Sequence, residues 1–272
     1  MLYKRLFVFI FALLLASCAP MTKLAVLQPS SPEFGKAAAV AFIRVSASDK
    51  LPRRAGAYCT GVWINKDTLL TALHCARAAA RMAETAKLPP ELQPLAPLLV
   101  GEVKDPTGYE MVYIVEDEVT GIDTMPKATH SSKIVAIDIK DDLAIVKAVS
   151  DKMPDHTWLP VANYNPKVGD KVSVVGHPSG LYFTFFNGMV SAIRETMPHE
   201  ANDEASVTSG GPYVQVFSGI WHGNSGGPVI SEKGEIVGIV SFGYSAPSQG
   251  FCIAPSSIKR FIFEAYRKNL LK

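Results

Sequence analysis

Gly223-Asn224-Ser225-Gly226-Gly227-Pro228 is the stretch on which the reading of this chain turns. Glycines on both sides of a serine let the backbone come close to a neighbour, because the missing Cβ permits tight-turn dihedrals and leaves amide N–H groups uncovered. If Ser225 is a nucleophile, the amides of Gly223 and Ser225 can converge on one point and hold a tetrahedral oxyanion. On its own the hexapeptide reads better as an ordinary surface turn. A nucleophilic serine needs a base, and the base needs a group to orient it.

Both are present upstream. Thr71-Ala72-Leu73-His74-Cys75 follows the apolar run from Thr68 to Leu70, and Asp142-Leu143-Ala144-Ile145-Val146 opens another. The chain order is His74, Asp142, Ser225. On these three motifs the sequence resembles the trypsin/chymotrypsin-fold serine endopeptidases over roughly residues 40–267, and within them the bacterial branch that carries Gly-Asn-Ser-Gly-Gly. The resemblance implies that Ser225 attacks, His74 takes its proton, Asp142 fixes the imidazole tautomer, and the Gly223 and Ser225 amides form the oxyanion hole. Asp141 would point the other way on a strand, since side chains alternate, and Asp138 matches nothing in the family. Asn224 replaces the acid that pairs with a newly cut N-terminus in zymogen-type enzymes, so no such activation switch is expected.

By the same matching, Ser241, Phe242 and Gly243 would pair with an extended substrate, Gly219 would lie at the base of the specificity pocket and Gly250 on its far wall. No aspartate sits at that base, which implies an open, uncharged pocket for apolar or aromatic side chains. Alternatively, His222 with Thr208 or Ser209 would hold an acidic one. His222 otherwise lines the cleft rim. His177, within Gly176-His177-Pro178-Ser179-Gly180, reads as structural, and His130, His156 and His199 carry no motif. The family often joins the positions of Cys59 and Cys75 by a disulfide, which requires an oxidising compartment. Cys252 is then unpaired, and its neighbours Phe251 and Ile253 suggest a buried apolar thiol.

The chain opens with Lys4-Arg5, an apolar run from Leu6 to Ala16, then Ser17-Cys18. This reads as a signal peptide over residues 1–17, since the run falls short of the about 20 residues that span a bilayer. Leu15-Ala16-Ser17-Cys18 resembles the lipobox of bacterial lipoproteins, which implies a lipidated Cys18 held at a membrane of the cell envelope; plain secretion is the alternative. Residues 18–36, with Pro29 and Pro32 and no periodicity, read as a tether. Loss of Lys4 and Arg5 with the leader leaves 25 basic residues against 25 acidic ones. That balance gives no sign of nucleic-acid binding. No residues have metal-ligand spacing, and no cofactor is implied.

About a dozen short apolar runs fall into two sets. The first holds Val40–Ser46, Tyr58–Asn65, Thr68–Thr71, Glu110–Val119, Lys133–Lys140 and Leu143–Val149. The second holds Lys171–Gly176, Tyr182–Phe186, Met189–Ile193, Tyr213–Phe217, Pro228–Ile230, Ile236–Phe242 and Gly250–Ile253, with turns at Gly180, Gly188, Gly234 and Gly243. A helix is expected over Cys75–Ala86, a proline-broken loop over Leu88–Leu98, and an amphipathic helix over Pro255–Asn269. The expected fold is all-β: two antiparallel six-stranded barrels, residues 37–160 and 161–272, with a C-terminal helix. The expected function is peptide-bond hydrolysis on a protein or peptide substrate. Its alternative is a catalytically silent lipoprotein of the same fold that binds peptides or envelope partners. The oligomeric state is left open.

Overall fold

The computed structural model describes residues 40–44, 58–115, 130–149, 156–181, 183–196, 210–243 and 248–271. The leader 1–17, Cys18, the tether 18–36 and the candidates His199, Thr208 and Ser209 lie outside the described residues. No helix among the described residues is long and apolar enough to cross a membrane.

Twelve strands carry the described chain. β1 (Val40–Arg44), β2 (Tyr58–Trp63), β3 (Thr68–Ala72), β4 (Glu110–Val115), β5 (His130–Asp138) and β6 (Leu143–Ala148) close a barrel in the order β1-β2-β3-β6-β5-β4. β7 (Lys171–Gly176), β8 (Thr184–Arg194), β9 (Tyr213–Phe217), β10 (Pro228–Ser231), β11 (Ile236–Gly243) and β12 (Gln249–Ile253) close a second in the order β7-β8-β9-β12-β11-β10. The two orders are the same pattern offset by six strands, and every pairing is antiparallel.

The cores explain why these runs become strands. Trp63, Leu69, Ile134, Ala144 and Val146 fill the first barrel, and the second is lined by Val172, Val174, Val190, Val214, Val216, Val229, Val237 and Val240. Valine's branched Cβ suits a pleated surface and loses rotamer freedom in a helix. The β2–β3 turn is closed locally, with the Asn65 side chain accepting the Asp67 amide at 2.9 Å. Cys59 on β2 is bonded to Cys75, which fixes the start of the following helix to the barrel wall. Cys252 is free and buried, and burial raises its thiol pKa well above the usual range.

Three local departures have physical reasons. The expected turn at Gly188 is absent: β8 runs straight through it, because its ladder with β7 is unbroken from Lys171↔Met189 to Gly176↔Thr184. The proline-rich stretch is not all loop. It forms a 3₁₀ turn over Gln93–Leu95 and a short helix α2 (Ala96–Leu99), with a proline in the first turn of each, where the missing N–H costs nothing. Finally, helix α1 covers Leu73–Ala86 and so begins before His74 rather than behind it. The C-terminal helix α3 spans Pro255–Arg267, opens on a proline, and buries Ile258, Phe261 and Ala265.

Candidate active site

His74 sits in the first turn of α1, where the backbone amides have no partner within the helix. Ala72, preceding the helix, offers no capping side chain. Asp142 supplies the cap from 68 residues away: its carboxylate Oδ1 accepts the His74 amide at 2.9 Å, and its carbonyl accepts the Leu73 amide at 3.0 Å. The other carboxylate oxygen, Oδ2, accepts from the His74 ring at Nδ1, 2.8 Å away. One aspartate therefore starts the helix and orients the imidazole that the helix carries. Asp142 is nearly fully buried and adopts a left-handed backbone conformation, φ 52°.

Asp142 has a third partner from the second barrel. The Ser241 hydroxyl donates to Asp142 Oδ2 at 2.5 Å. The register of β11 against β12 slips between Val240 and Phe242, so Ser241 is the extra residue of a β-bulge. Bulges re-aim side chains in this way beside functional sites. The Ser241 carbonyl, left out of the ladder, accepts the Ser225 hydroxyl at a long 3.5 Å. Ser225 makes no hydrogen bond to His74 among the described residues. Catalytic hydrogen bonds are often loose without substrate and tighten on binding.

The Ser225 loop is held against β2 of the first barrel. Thr60 donates its amide to Ser225 O at 2.8 Å and its hydroxyl to Gly223 O at 2.7 Å. Gly226, at φ +82°, has no room for a side chain, because a Cβ would lie 2.1 Å from Thr71 Oγ1. Gly223 is constrained in the same way: at φ +103° its Cβ would lie 2.1 Å from the carbonyl of His177. His177 is buried, its Nδ1 accepts the Phe183 amide at 2.9 Å, and Ser179 donates its amide to His222 O at 2.8 Å. The Gly176–Gly180 turn is thus the frame on which the Gly223 loop rests. With these bonds made, the amides of Gly223 and Ser225 donate to no partner among the described residues, which leaves two donors at the serine. Asn224 is buried, and its amide group donates to Gly219 O at 3.3 Å.

Two opposed influences set the His74 ring. Burial, the larger single one, disfavours the imidazolium; the Asp142 charge and its hydrogen bond together outweigh it, so the pKa is raised above 6.5. Among the described residues, one cluster gathers metal-type ligand atoms, Cys59, His74 and Cys75, within 4.8 Å. The two sulfurs are bonded to each other, so neither offers a thiolate.

The expected pocket residues are gathered on β11, β12 and the 219–220 segment, but the space between them is not open. The backbones of Gly250 and Gly243 both face Ile220: a Cβ on Gly250 would meet its Cδ1 at 2.2 Å, and one on Gly243 its Cγ2 at 3.8 Å. A Cβ on Gly219 would meet the Phe186 ring at 2.4 Å. Phe242 stacks on Phe251 with ring centroids 4.8 Å apart. His222 is exposed and packs edge-on against Trp221, and His156 stacks on Trp63. Sequence reasoning missed Ile220, Phe186, Thr60 and the hydroxyl of Ser241. Only Ile220 carried a signal, as an apolar side chain beside the proposed pocket base.

These features define a two-barrel scaffold with a serine, a histidine and an aspartate grouped at its seam. The sequence matches the trypsin-like peptidase domain over residues 59–239, and the chain belongs to that family. It is 34% identical over 110 residues to a probable periplasmic serine endoprotease, DegP-like, of Halomonas elongata, covering 40% of this chain and 21% of the relative. Its identity to the corresponding protein of Hahella chejuensis is 35% over 131 residues, covering 47% and 25%. The chain therefore spans about a quarter of the length of these curated relatives. Among solved structures, the inactive form of Rv3671c from M. tuberculosis, crystallised as a serine-to-alanine mutant, superposes with a TM-score of 0.58 at 18% identity, covering 86% of this chain and 90% of that one. A serine endoprotease from Yersinia pestis superposes at 0.56 with 19% identity, covering 87% and 65%. At these identities the structural likeness speaks for the fold alone.

Proposed function

We propose that this protein is a serine endopeptidase of the cell envelope that cleaves peptide bonds through an acyl-enzyme on Ser225. The observation that carries the reading is the Asp142 carboxylate, bonded at once to the His74 amide, the His74 ring and the Ser241 hydroxyl. Such a carboxylate fixes the tautomer with the Nδ1 proton toward Asp142, which leaves Nε2 as the base. When substrate enters, the Ser225 hydroxyl leaves Ser241 O, gives its proton to Nε2 and attacks the scissile carbonyl. The Gly223 and Ser225 amides take up the oxyanion, and His74 returns the proton to the leaving amine. Water then repeats the sequence on the acyl-enzyme. In this scheme Gly223→Ala, which cannot keep φ +103° without striking His177 O, is expected to lower kcat by about 10²- to 10³-fold. Burst kinetics on an ester substrate would show the loss in acylation.

The envelope placement is supported by the Lys4-to-Cys18 pattern and by relatives described as periplasmic. We extend it to a lipid on Cys18, with residues 18–36 as tether and the membrane as partner. For the substrate, Ile220 supports a preference narrower than the open pocket of the sequence reading: a small aliphatic residue before the scissile bond. A peptide library with valine, alanine or phenylalanine at that position tests both claims. Cleavage after valine and alanine is expected. Ile220→Ala should raise kcat/KM for phenylalanine relative to valine roughly 10-fold or more. Peptides that bind without being cut would favour the silent, binding reading instead.

A further inference from the structure

Asp141, the residue before the proposed catalytic acid, is fully buried, and its carboxylate is met by two segments from the other half of the chain. Oδ1 accepts the Gly211 amide at 3.1 Å, on the lead-in to β9. Oδ2 is paired with the Arg260 guanidinium on α3. The same guanidinium lies 3.6 Å from Asp138 Oδ2, and Asp138 Oδ1 accepts the amides of Lys140 at 2.9 Å and Asp141 at 3.2 Å. Ser257, about one turn earlier on α3, donates its hydroxyl to Gly211 O at 3.1 Å. The β5–β6 turn, the lead-in to β9 and the C-terminal helix are thus tied into one unit around a buried carboxylate.

That turn needs external support. A non-glycine residue in the left-handed region is strained and persists only where its surroundings over-determine it, and Asp142 is such a residue. Its bonds to His74 and Ser241 use the side chain, and the Leu73 amide holds only its carbonyl, on the peptide that follows, so none of them fixes the preceding peptide. A buried carboxylate stripped of its cation would also pull the turn toward water.

We propose that Arg260 is a positioning residue: by holding Asp141 it keeps Asp142 in the conformation that presents one carboxylate to both the backbone amide and the ring Nδ1 of His74. The C-terminal helix thereby takes part in assembling the site although it touches neither base nor nucleophile. The inference rests on the hydrolase reading for its kinetic consequence, and on geometry alone for its spectroscopic one.

The test uses the full chain as parent, Arg260→Ala, Arg260→Lys and Asp141→Asn. Two quantities are read: the low-field proton NMR signal of His74 Nδ1–H bonded to Asp142, and kcat separately from KM on the best peptide of the library. In Arg260→Ala the signal should broaden or vanish and kcat should fall about 10- to 100-fold with KM little changed, as expected of a small misplacement. Arg260→Lys, which keeps the charge, should recover most of both, and Asp141→Asn, which keeps the side-chain shape, should fall between. A low-field signal and kcat equal to the parent's in folded Arg260→Ala would overturn the proposal. So would a loss of thermal stability in which the folded fraction keeps the parent's signal and kcat. A parent that shows the signal but cuts no peptide would refute the hydrolase reading, and the signal in the variants would still decide the role of Arg260.

Discussion

Replacing Ser225 by alanine is expected to lower peptide hydrolysis roughly a millionfold while leaving the fold intact. The hydroxyl makes a single 3.5 Å hydrogen bond among the described residues, so its loss removes little from stability. The loop is held instead by its backbone, through Thr60 to Ser225 O and Gly223 O. His74→Ala should cost about as much, and the double variant hardly more, because nucleophile and base act as one unit. Steady-state rates on a cleaved peptide, with thermal melts of each variant alongside, check this. Equal and non-additive losses, with a melt unchanged in Ser225→Ala, are the signature. Additive losses would mean that the two side chains work separately.

Asp142→Asn carries the second-largest effect, a fall in kcat of about 10⁴-fold. Asparagine can turn an amide N–H toward Nδ1 and so favour the wrong tautomer. It also shifts the pH profile. In the parent the active form is the neutral imidazole, so kcat/KM should rise with pH through a midpoint above 6.5, where the Asp142 charge and hydrogen bond hold it. Without that charge, the lowering influence of burial is left unopposed, and the midpoint of the residual activity should move below 6.5. The same raised pKa bears on stability: the imidazolium–carboxylate pair contributes fully below the unfolded-state value near 6.5 and is lost as pH rises through the folded-state value. A profile that does not move in Asp142→Asn would remove Asp142 from contact with the base.

Much of this arrangement was legible in the sequence because it is local. Alternating apolar runs set out the strands of a trypsin-like fold, Pro255 and the spacing of Ile258, Phe261 and Ala265 marked the last helix, and three short motifs named the residues that the seam brings together. What escaped is carried by long-range register. No residue near Ala72 caps α1, so its start could not be placed; the cap is Asp142, 68 residues on. The bulge that turns Ser241 toward Asp142 exists only relative to β12, and nothing in Ser241-Phe242-Gly243 by itself announces it. Gly188 looked like a turn because glycine usually marks one, yet a continuous ladder with β7 overrode it. The lack of an aspartate at the pocket base suggested an open, uncharged pocket, but Phe186 fills the space beside Gly219 and Ile220 the space beside Gly250.

The most direct measurement is labelling of the purified chain with a fluorophosphonate, which reacts only with a serine activated by an assembled base and oxyanion hole. Intact-protein mass spectrometry would follow the parent, Ser225→Ala and His74→Ala. The account predicts one adduct per parent chain, mapped to Ser225, and none in either variant. A folded parent that stays unlabelled, or an adduct that survives in Ser225→Ala, would contradict it.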